Sequence, residues 1–385
     1  MISVDEALAH VFALVTRVDS EEVPLRNAAG RVLAADVVAL RNQPPFRASV
    51  MDGYAVAGDG PWRVVGQAAA GHAFAGSVAD GDAVRIFTGG VVPEGADRVV
   101  IQEDVVVTGE RISLGAGPDS ERYIREIGAD FKVGDRLAAP RRLTPADVAL
   151  AASMNVPRVT VARRPRLAII ATGDELVMPG EDPRPDQIIA SNSFGLAAMA
   201  EAEGAEVRLL PVARDTRASL TTVFGLARDA DLVVTIGGAS VGDHDLVGEV
   251  AADLGMERAF YKIAMRPGKP LMAGRMGQAA MVGLPGNPVS AMVCGHLFLR
   301  PMLRAMQGLP AERLREGEAI LSAPLGPNGP RQHYMRACRD DDGIRAAERQ
   351  DSSLLTVLAG ANVLIVRPPH DPARHVGEQV RYINL

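Results

Sequence analysis

Three loops hold most of the groups in this chain that are able to do chemistry. Each lies where an apolar run gives way to glycine and polar residues. The first, Thr172-Gly173-Asp174-Glu175, follows the run 167–171. The second, Gly237-Gly238-Ala239-Ser240-Val241-Gly242-Asp243-His244-Asp245, follows 232–236. The third, Leu284-Pro285-Gly286-Asn287-Pro288-Val289-Ser290, follows 279–283 and opens a helical pattern reaching about Met306. Glycine lets a backbone approach a ligand closely and point N–H groups at phosphate oxygens. In the third loop Asn287 suits an N-cap and Pro288 suits N1, where its missing N–H costs nothing. Such a helix start offers free donors to an anion.

The acids Glu175, Asp243 and Asp245 would repel a phosphate unless a divalent cation lies between, which points to Mg²⁺ held partly by carboxylates. Arg266 and Lys269 flank Pro267-Gly268 and precede Pro270. Two cations on a proline-restrained loop suit a multiply charged anion. Taken one at a time, each feature is also an ordinary turn or a solvated loop charge, and His244 reads as a loop histidine. Two further patches, 45–56 with Ser49 and Asp52 and 87–97 with Thr88, read alone as turns. No P-loop is present, no G-x-G-x-x-G follows a strand, and no Ser-His-Asp or zinc spacing occurs.

The elements that must position these loops alternate. Strand runs at 167–171, 206–210 and 232–236 are interleaved with helical patterns at 193–203, 217–228 and from 287 onward. That order implies a mostly parallel sheet with right-handed crossovers, whose ligands bind beyond the strands' carboxyl ends. The three loops should therefore converge on one crevice. Ahead of this region, 4–18 reads as a helix with Ser3 as N-cap and Glu6 closing a capping box. Short valine-rich runs at 62–65, 83–87, 98–102 and 105–107 make residues 44–136 an all-β insert. A helix at 144–154 starts on Thr144 and Pro145. After Gly308-Leu309-Pro310, short strands at 319–322, 333–338, 362–366 and 379–383 form a small, barrel-like β domain. The expected fold class is multidomain α/β. Residues 1–43 with 137–163 form a mixed helical N-terminal domain, 44–136 the β insert, 164–307 the α/β domain and 308–385 the C-terminal β domain.

At 385 residues the chain has room for two to four cores. A net charge of -6 and a pI near 5.7 argue against nucleic-acid binding. Aromatic residues, at 4%, are too scarce for base-stacking platforms. Cys294 and Cys338 have no zinc or disulfide spacing, and Cys294 reads as a buried thiol within the helix. The N-terminus has no signal pattern, and 288–306 is interrupted by His296, Arg300 and Arg304, so no membrane span is expected. The expectation is a soluble, cytoplasmic protein.

Six motifs, in order along nearly the whole chain, resemble the molybdopterin molybdenumtransferase family, which includes bacterial MoeA and the gephyrin E domain. They are S-V-M-D-G-Y-A-V (Ser49 to Val56), T-G-G-V-V-P-E-G-A-D (Thr88 to Asp97), A-T-G-D-E-L (Ala171 to Leu176), G-G-A-S-V-G (Gly237 to Gly242), R-P-G-K-P (Arg266 to Pro270) and L-P-G-N-P-V-S (Leu284 to Ser290). The resemblance implies Mg²⁺- and molybdate-dependent hydrolysis of adenylyl-molybdopterin, with AMP leaving and molybdenum taken up by the dithiolene. It also implies an elongated homodimer whose cleft is shared between the α/β domain of one subunit and the β insert of the other. The molybdopterin adenylyltransferase and acceptor molybdoenzymes are further candidate partners.

By the same resemblance, Asp52, Thr88, Glu175 and Lys269 are catalytic, and Glu175, Asp243 and Asp245 bind the metal. Ser49, Asp130, Thr172, Gly173, Asn192, Gly237, Gly238, Ser240, Gly242, Arg266, Pro285, Gly286, Asn287 and Pro288 bind the substrate cofactor. Three places depart from the family pattern. Arg266 stands where many relatives have lysine. Glu126, Ile127 and Ala129 lie in a stretch that is usually arginine-rich. Ala190 precedes Ser191-Asn192 where an aspartate is frequent. These departures keep open an alternative, a divergent paralogue that holds molybdopterin or molybdate as a carrier or scaffold without turnover.

Overall fold

The computed structural model describes residues 1–117, 120–238 and 246–385. The chain forms two compact units. One comprises Met1–Glu21, Gly30–Ala34 and Val161–Leu385, the other Glu22–Ala29 and Ala35–Thr160.

The larger unit begins with α1 (Val4–Leu14), capped by the expected box: Ser3 Oγ accepts from Glu6 N at 3.1 Å and Glu6 Oε2 accepts from Ser3 N at 2.7 Å. The helix stops four residues short of the expected end. Val15 is extended, and Val18 N donates to Met306 O at 2.9 Å, so the chain leaves the helix to bond elsewhere in this unit.

The smaller unit is built on a six-stranded sheet of β1 (Gly53–Val56), β2 (Trp62–Ala68), β3 (Asp82–Ile86), β4 (Arg98–Ile101), β5 (Val105–Thr108) and β6 (Arg111–Leu114), in the order β4-β1-β3-β2-β6-β5. All neighbours are antiparallel except β2 and β3. Successive side chains on a strand face opposite ways, and here both faces are covered. Ala55, Val84, Ile86 and Val99 join one cluster, while Val56, Trp62, Ala83 and Val100 join another. Gly53 marks the tightest approach, because a Cβ there would lie 2.0 Å from Val100 O. Helix α2 (Pro145–Ser153) carries the expected Thr144 cap and a box closed by Asp147.

In the larger unit a second six-stranded sheet holds β7 (Arg166–Ala171), β8 (Glu206–Leu209), β9 (Leu232–Ile236), β10 (Met256–Tyr261), β11 (Met272–Met276) and β12 (Ala279–Leu284). Its order is β8-β7-β9-β12-β11-β10. The first four are parallel and the last two antiparallel. Every residue of β9 and β12 is buried, as befits central strands covered on both faces. Leu167, Ile169 and Val234 pack on the side of α1, α3 (Ser191–Ala202) and the helix after β12. Ala168, Ile170 and Val233 pack on the side of α4 (Arg217–Leu226) and α5 (Leu246–Asp253).

The helix expected from 287 to 306 is three pieces: α6 (Pro288–Cys294), a π turn at Gly295–Leu299, and α7 (Arg300–Met306). Pro301 has no N–H for the carbonyl four residues back, and the widened turn ahead of it absorbs that defect. Two glycines let α3 approach this helix. A Cβ on Gly195 would meet Met292 Sδ at 2.8 Å, and one on Gly295 would meet Leu196 Cδ2 at 2.6 Å. Cys294 is buried as expected, and burial pushes its thiol pKa up; Cys338 is exposed.

The C-terminal sheet runs Met265–Arg266, β14 (Gln332–Asp340), β16 (Val363–Arg367), β17 (Gln379–Asn384), β13 (Gly317–Ile320), with β15 (Gly343–Ala346) paired to β14. Among the described residues no helix is long and apolar enough to cross a membrane.

Gly53→Ala should destabilise the protein by about 2 kcal/mol or more, since backbone rather than a movable side chain blocks the added methyl. A denaturant midpoint equal to that of the parent would show that β1 and β4 do not meet in this register.

Candidate active site

The carboxyl ends of β7, β9 and β12 do converge. They wall a cavity of about 950 Å³ lined by Thr172, Gly173, Glu175, Asn192, Gly237, Gly238, Pro285, Gly286, Asn287 and Pro288, all named from the sequence. Ser240, Gly242, Asp243 and Asp245, with His244, lie outside the described residues. The lining residues not foreseen include the carboxylates Asp215 and Glu249, and Ser353.

Backbone bonds set the walls. Thr172 N donates to Ile236 O at 3.0 Å and Gly237 N to Leu284 O at 3.0 Å, so the sheet's pairing continues past the strand ends. Gly237 and Gly238 have φ of 91° and 65°, in the left-handed region that glycine favours. A Cβ on Gly238 would also lie 2.2 Å from Val247 Cγ2. Gly173, at φ 145°, leaves room for the Glu175 carboxylate, whose Oε2 would be 2.4 Å from a Cβ there. Asn192 Nδ2 donates to Gly286 O at 2.7 Å, while its Oδ1 is buried without a partner among the described residues.

The third loop differs from expectation. Asn287 occupies the N-cap, with φ -61° and ψ 126°, but its side chain caps no backbone N–H. Pro288 is at N1 as expected, yet Val289 N donates to Ser352 O at 3.0 Å. This turn therefore offers an anion fewer donors than the sequence implies, because a carbonyl from the C-terminal segment has taken one.

That segment is held from behind. Arg336, 1% exposed, donates through Nη1 to Asp351 O at 3.0 Å and through Nη2 to Arg349 O at 3.2 Å. Ser353 N and Oγ both donate to Asp351 Oδ1, at 2.8 and 2.6 Å, and hold that carboxyl below the usual carboxylate range. Asp351-Ser352-Ser353 is an Asx-turn signature legible in the sequence; only its distance from the other loops hid it.

The two predicted cations do not join the cavity. Arg266 and Lys269 are exposed and neither lines it, although Pro270 does. The cause is strand pairing, which sets Met265 opposite Gln332 and Arg266 opposite His333 on the C-terminal sheet. The field there is positive: burial, and then Arg266, Arg336, Arg367 and Arg331, push the His333 pKa down to about 4.

In the smaller unit, Asp52 and Thr88 meet. Thr88 N and Oγ1 both donate to Asp52 Oδ1, at 2.7 and 2.8 Å. The backbone bond, then the hydroxyl bond, then the charge of Arg85 hold this carboxyl below its ordinary value. Ser49, predicted to touch the substrate, is buried, and its hydroxyl donates to Met51 O at 2.6 Å, so its one donor is used inside its own loop. Asp130 is exposed, and its N–H donates to Gln43 O at 2.9 Å. Two of the departures have local consequences. Glu126, exposed, sits 3.7 Å from the half-buried Arg47, and Ala190 leaves the start of α3 without a side-chain cap.

Among the described residues no three His, Cys, Asp or Glu side chains are grouped to hold a metal ion. Family models cover most of the chain: "MoeA N-terminal region (domain I and II)" matches residues 2–155, "Probable molybdopterin binding domain" 168–305, and "MoeA C-terminal region (domain IV)" 318–385. A molybdopterin molybdenumtransferase of Nostoc sp. (strain PCC 7120) is 36% identical over 415 residues, covering 100% of this chain and 94% of that protein. Molybdopterin molybdenumtransferase 2 of Mycobacterium tuberculosis is also 36% identical, covering 94% of each. The solved structure of a molybdopterin biosynthesis MoeA protein from Pyrococcus horikoshii OT3 superposes with a TM-score of 0.87 at 26% identity, covering 100% of both chains. On sequence and fold alike, this chain belongs to the molybdopterin molybdenumtransferase family, and it is a transferase of molybdenum cofactor biosynthesis.

Proposed function

We propose that the chain hydrolyses adenylyl-molybdopterin in a Mg²⁺- and molybdate-dependent reaction, releasing AMP as molybdenum is taken up by the dithiolene. The observation that carries this reading is the cavity itself. Its size suits a nucleotide-sized ligand, and glycine backbone at Gly173, Gly237, Gly238 and Gly286 lines it.

Glu175 lines the cavity and would supply one hard oxygen donor to Mg²⁺; Glu249 on the same walls is paired with Arg217 at 2.7 Å, and among the described residues no three such side chains are grouped to hold the ion. The ion would offset charge on the phosphoanhydride. Asp52 is held ionised, and a carboxylate below its ordinary pKa is a poor proton acceptor. Its role is therefore to orient water or a cation, with Oδ1 engaged by Thr88. Arg266 and Lys269, exposed beside a cationic sheet edge, suit an oxyanion such as molybdate approaching from solvent. The active species is a homodimer with its cleft shared between subunits. The carrier reading draws on Glu126 and Ala190, which weaken local charge and capping.

Asp52→Ala should lower AMP release by about 10²-fold or more, the scale of losing one preorganised charged group, while leaving the thermal midpoint unchanged; near-parental release sinks the assignment. Binding of adenylyl-molybdopterin by the parent protein without AMP release would favour the carrier. Thr88→Val should move the Asp52 pKa upward, because one bond to the ionised form is lost, but only part of the way, because the backbone N–H remains. Carboxyl NMR titration reads this, and an unmoved midpoint refutes it. If the cleft is shared, Asp52→Ala and Glu175→Gln subunits, each inactive alone, should regain turnover when mixed and reassembled. No recovery in proven heterodimers would place both residues in one subunit's site.

A further inference from the structure

The bonds around Asp52 extend beyond Thr88. Gln102 N donates to Asp52 O at 3.1 Å, which fixes the main chain on the carboxylate's own residue. The next carbonyl, that of Gly53, accepts from Arg85 Nη1 at 2.8 Å. Arg85 Nη2 donates to Gln102 Oε1 at 2.6 Å and closes a ring through both residues. Register explains the reach: β3 lies antiparallel to β1, with Arg85 opposite Tyr54 and Ile86 opposite Gly53. The guanidinium carbon lies 4.9 Å from the ring centroids of both Tyr54 and Phe87. Two aromatic faces and two directed bonds hold the group more firmly than a surface arginine is usually held. Both acceptors are neutral, so among the described residues no hydrogen-bonded carboxylate cancels its charge there, and its field reaches Asp52.

We propose that Arg85, acting with Gln102, is a positioning residue for Asp52. It holds the Gly53–Tyr54 peptide through Gly53 O while Gln102 N holds the Asp52–Gly53 peptide, so that Thr88 engages Oδ1 and the second carboxylate oxygen is kept for the reaction. The inference rests on the catalytic reading of Asp52. A planar fork is required, because one group must reach Gly53 O and Gln102 Oε1 together.

The test is steady-state AMP release from adenylyl-molybdopterin with Mg²⁺ and molybdate, on the full chain, for Arg85→Met, Arg85→Lys and Asp52→Ala. Arg85→Met should lower kcat about tenfold or more with KM moved less than about threefold, the signature of an interaction lost in the transition state. Arg85→Lys, which keeps the charge but not the fork, should recover part of that loss. If Asp52→Ala is inactive and Arg85→Met keeps kcat within about twofold, the positioning role is overturned and the reading of Asp52 stands. A loss in Arg85→Met shared equally between binding and turnover, with no recovery in Arg85→Lys, also overturns it, since that marks a sheet-stabilising residue only. If Asp52→Ala retains turnover, the catalytic reading fails and takes the role of Arg85 with it.

Discussion

The cavity walls depend on two backbone hydrogen bonds, Thr172 N to Ile236 O and Gly237 N to Leu284 O. They extend the lateral pairing of three parallel strands by one residue, into segments that are already loop. Without them the three strand ends would be free to splay, and groups drawn from positions as far apart as Glu175 and Pro288 would share no wall. The glycines follow from the same constraint. Once the loops are tied this closely, a methyl group on Gly237 would fall 2.8 Å from Thr172 O and one on Gly238 would strike Val247. Close approach comes first, and the glycine content is its consequence.

A similar economy operates around Asp52. Asp52 is a partly buried residue, and the desolvation this brings would by itself favour the neutral acid. Two donors from a single residue, Thr88, reverse that preference, and they use one oxygen to do so. The group that results is charged and tethered, better suited to hold a partner in place than to take up a proton.

Much of this was legible in the residues because the signals are local. Ser3 with Glu6, Thr144 with Asp147, and Pro288 at N1 are short-range patterns, and the structure keeps them. The mostly apolar runs at β9 and β12 likewise marked strands leading into the site loops. Less legible were β10 and β11, an antiparallel pair appended to a parallel sheet. The segment Met-Glu-Arg-Ala-Phe-Tyr of β10 exposes three of its six residues and shows no clean alternation. The expected and observed cavity linings differ where distant pairing decides the outcome. Arg266 and Lys269 looked like cavity cations until pairing with β14 fixed Arg266 on the C-terminal sheet. Ser353 carried a turn signature, but nothing in sequence alone placed that turn against α6. The free donors expected at the start of α6 were counted without knowing that a carbonyl some sixty residues downstream would occupy one of them.

That occupied donor has a consequence for the order in which the protein becomes competent. Val289 is bonded to Ser352, and the neighbouring Ser353 faces the cavity. While the chain is being synthesised, the three strand-end loops leave the ribosome well before the turn that completes their wall. A nascent chain ending short of that turn presents the start of α6 uncapped and the cavity one side open. The pocket is therefore finished late, and its final shape reports that the C-terminal sheet has been made and has docked.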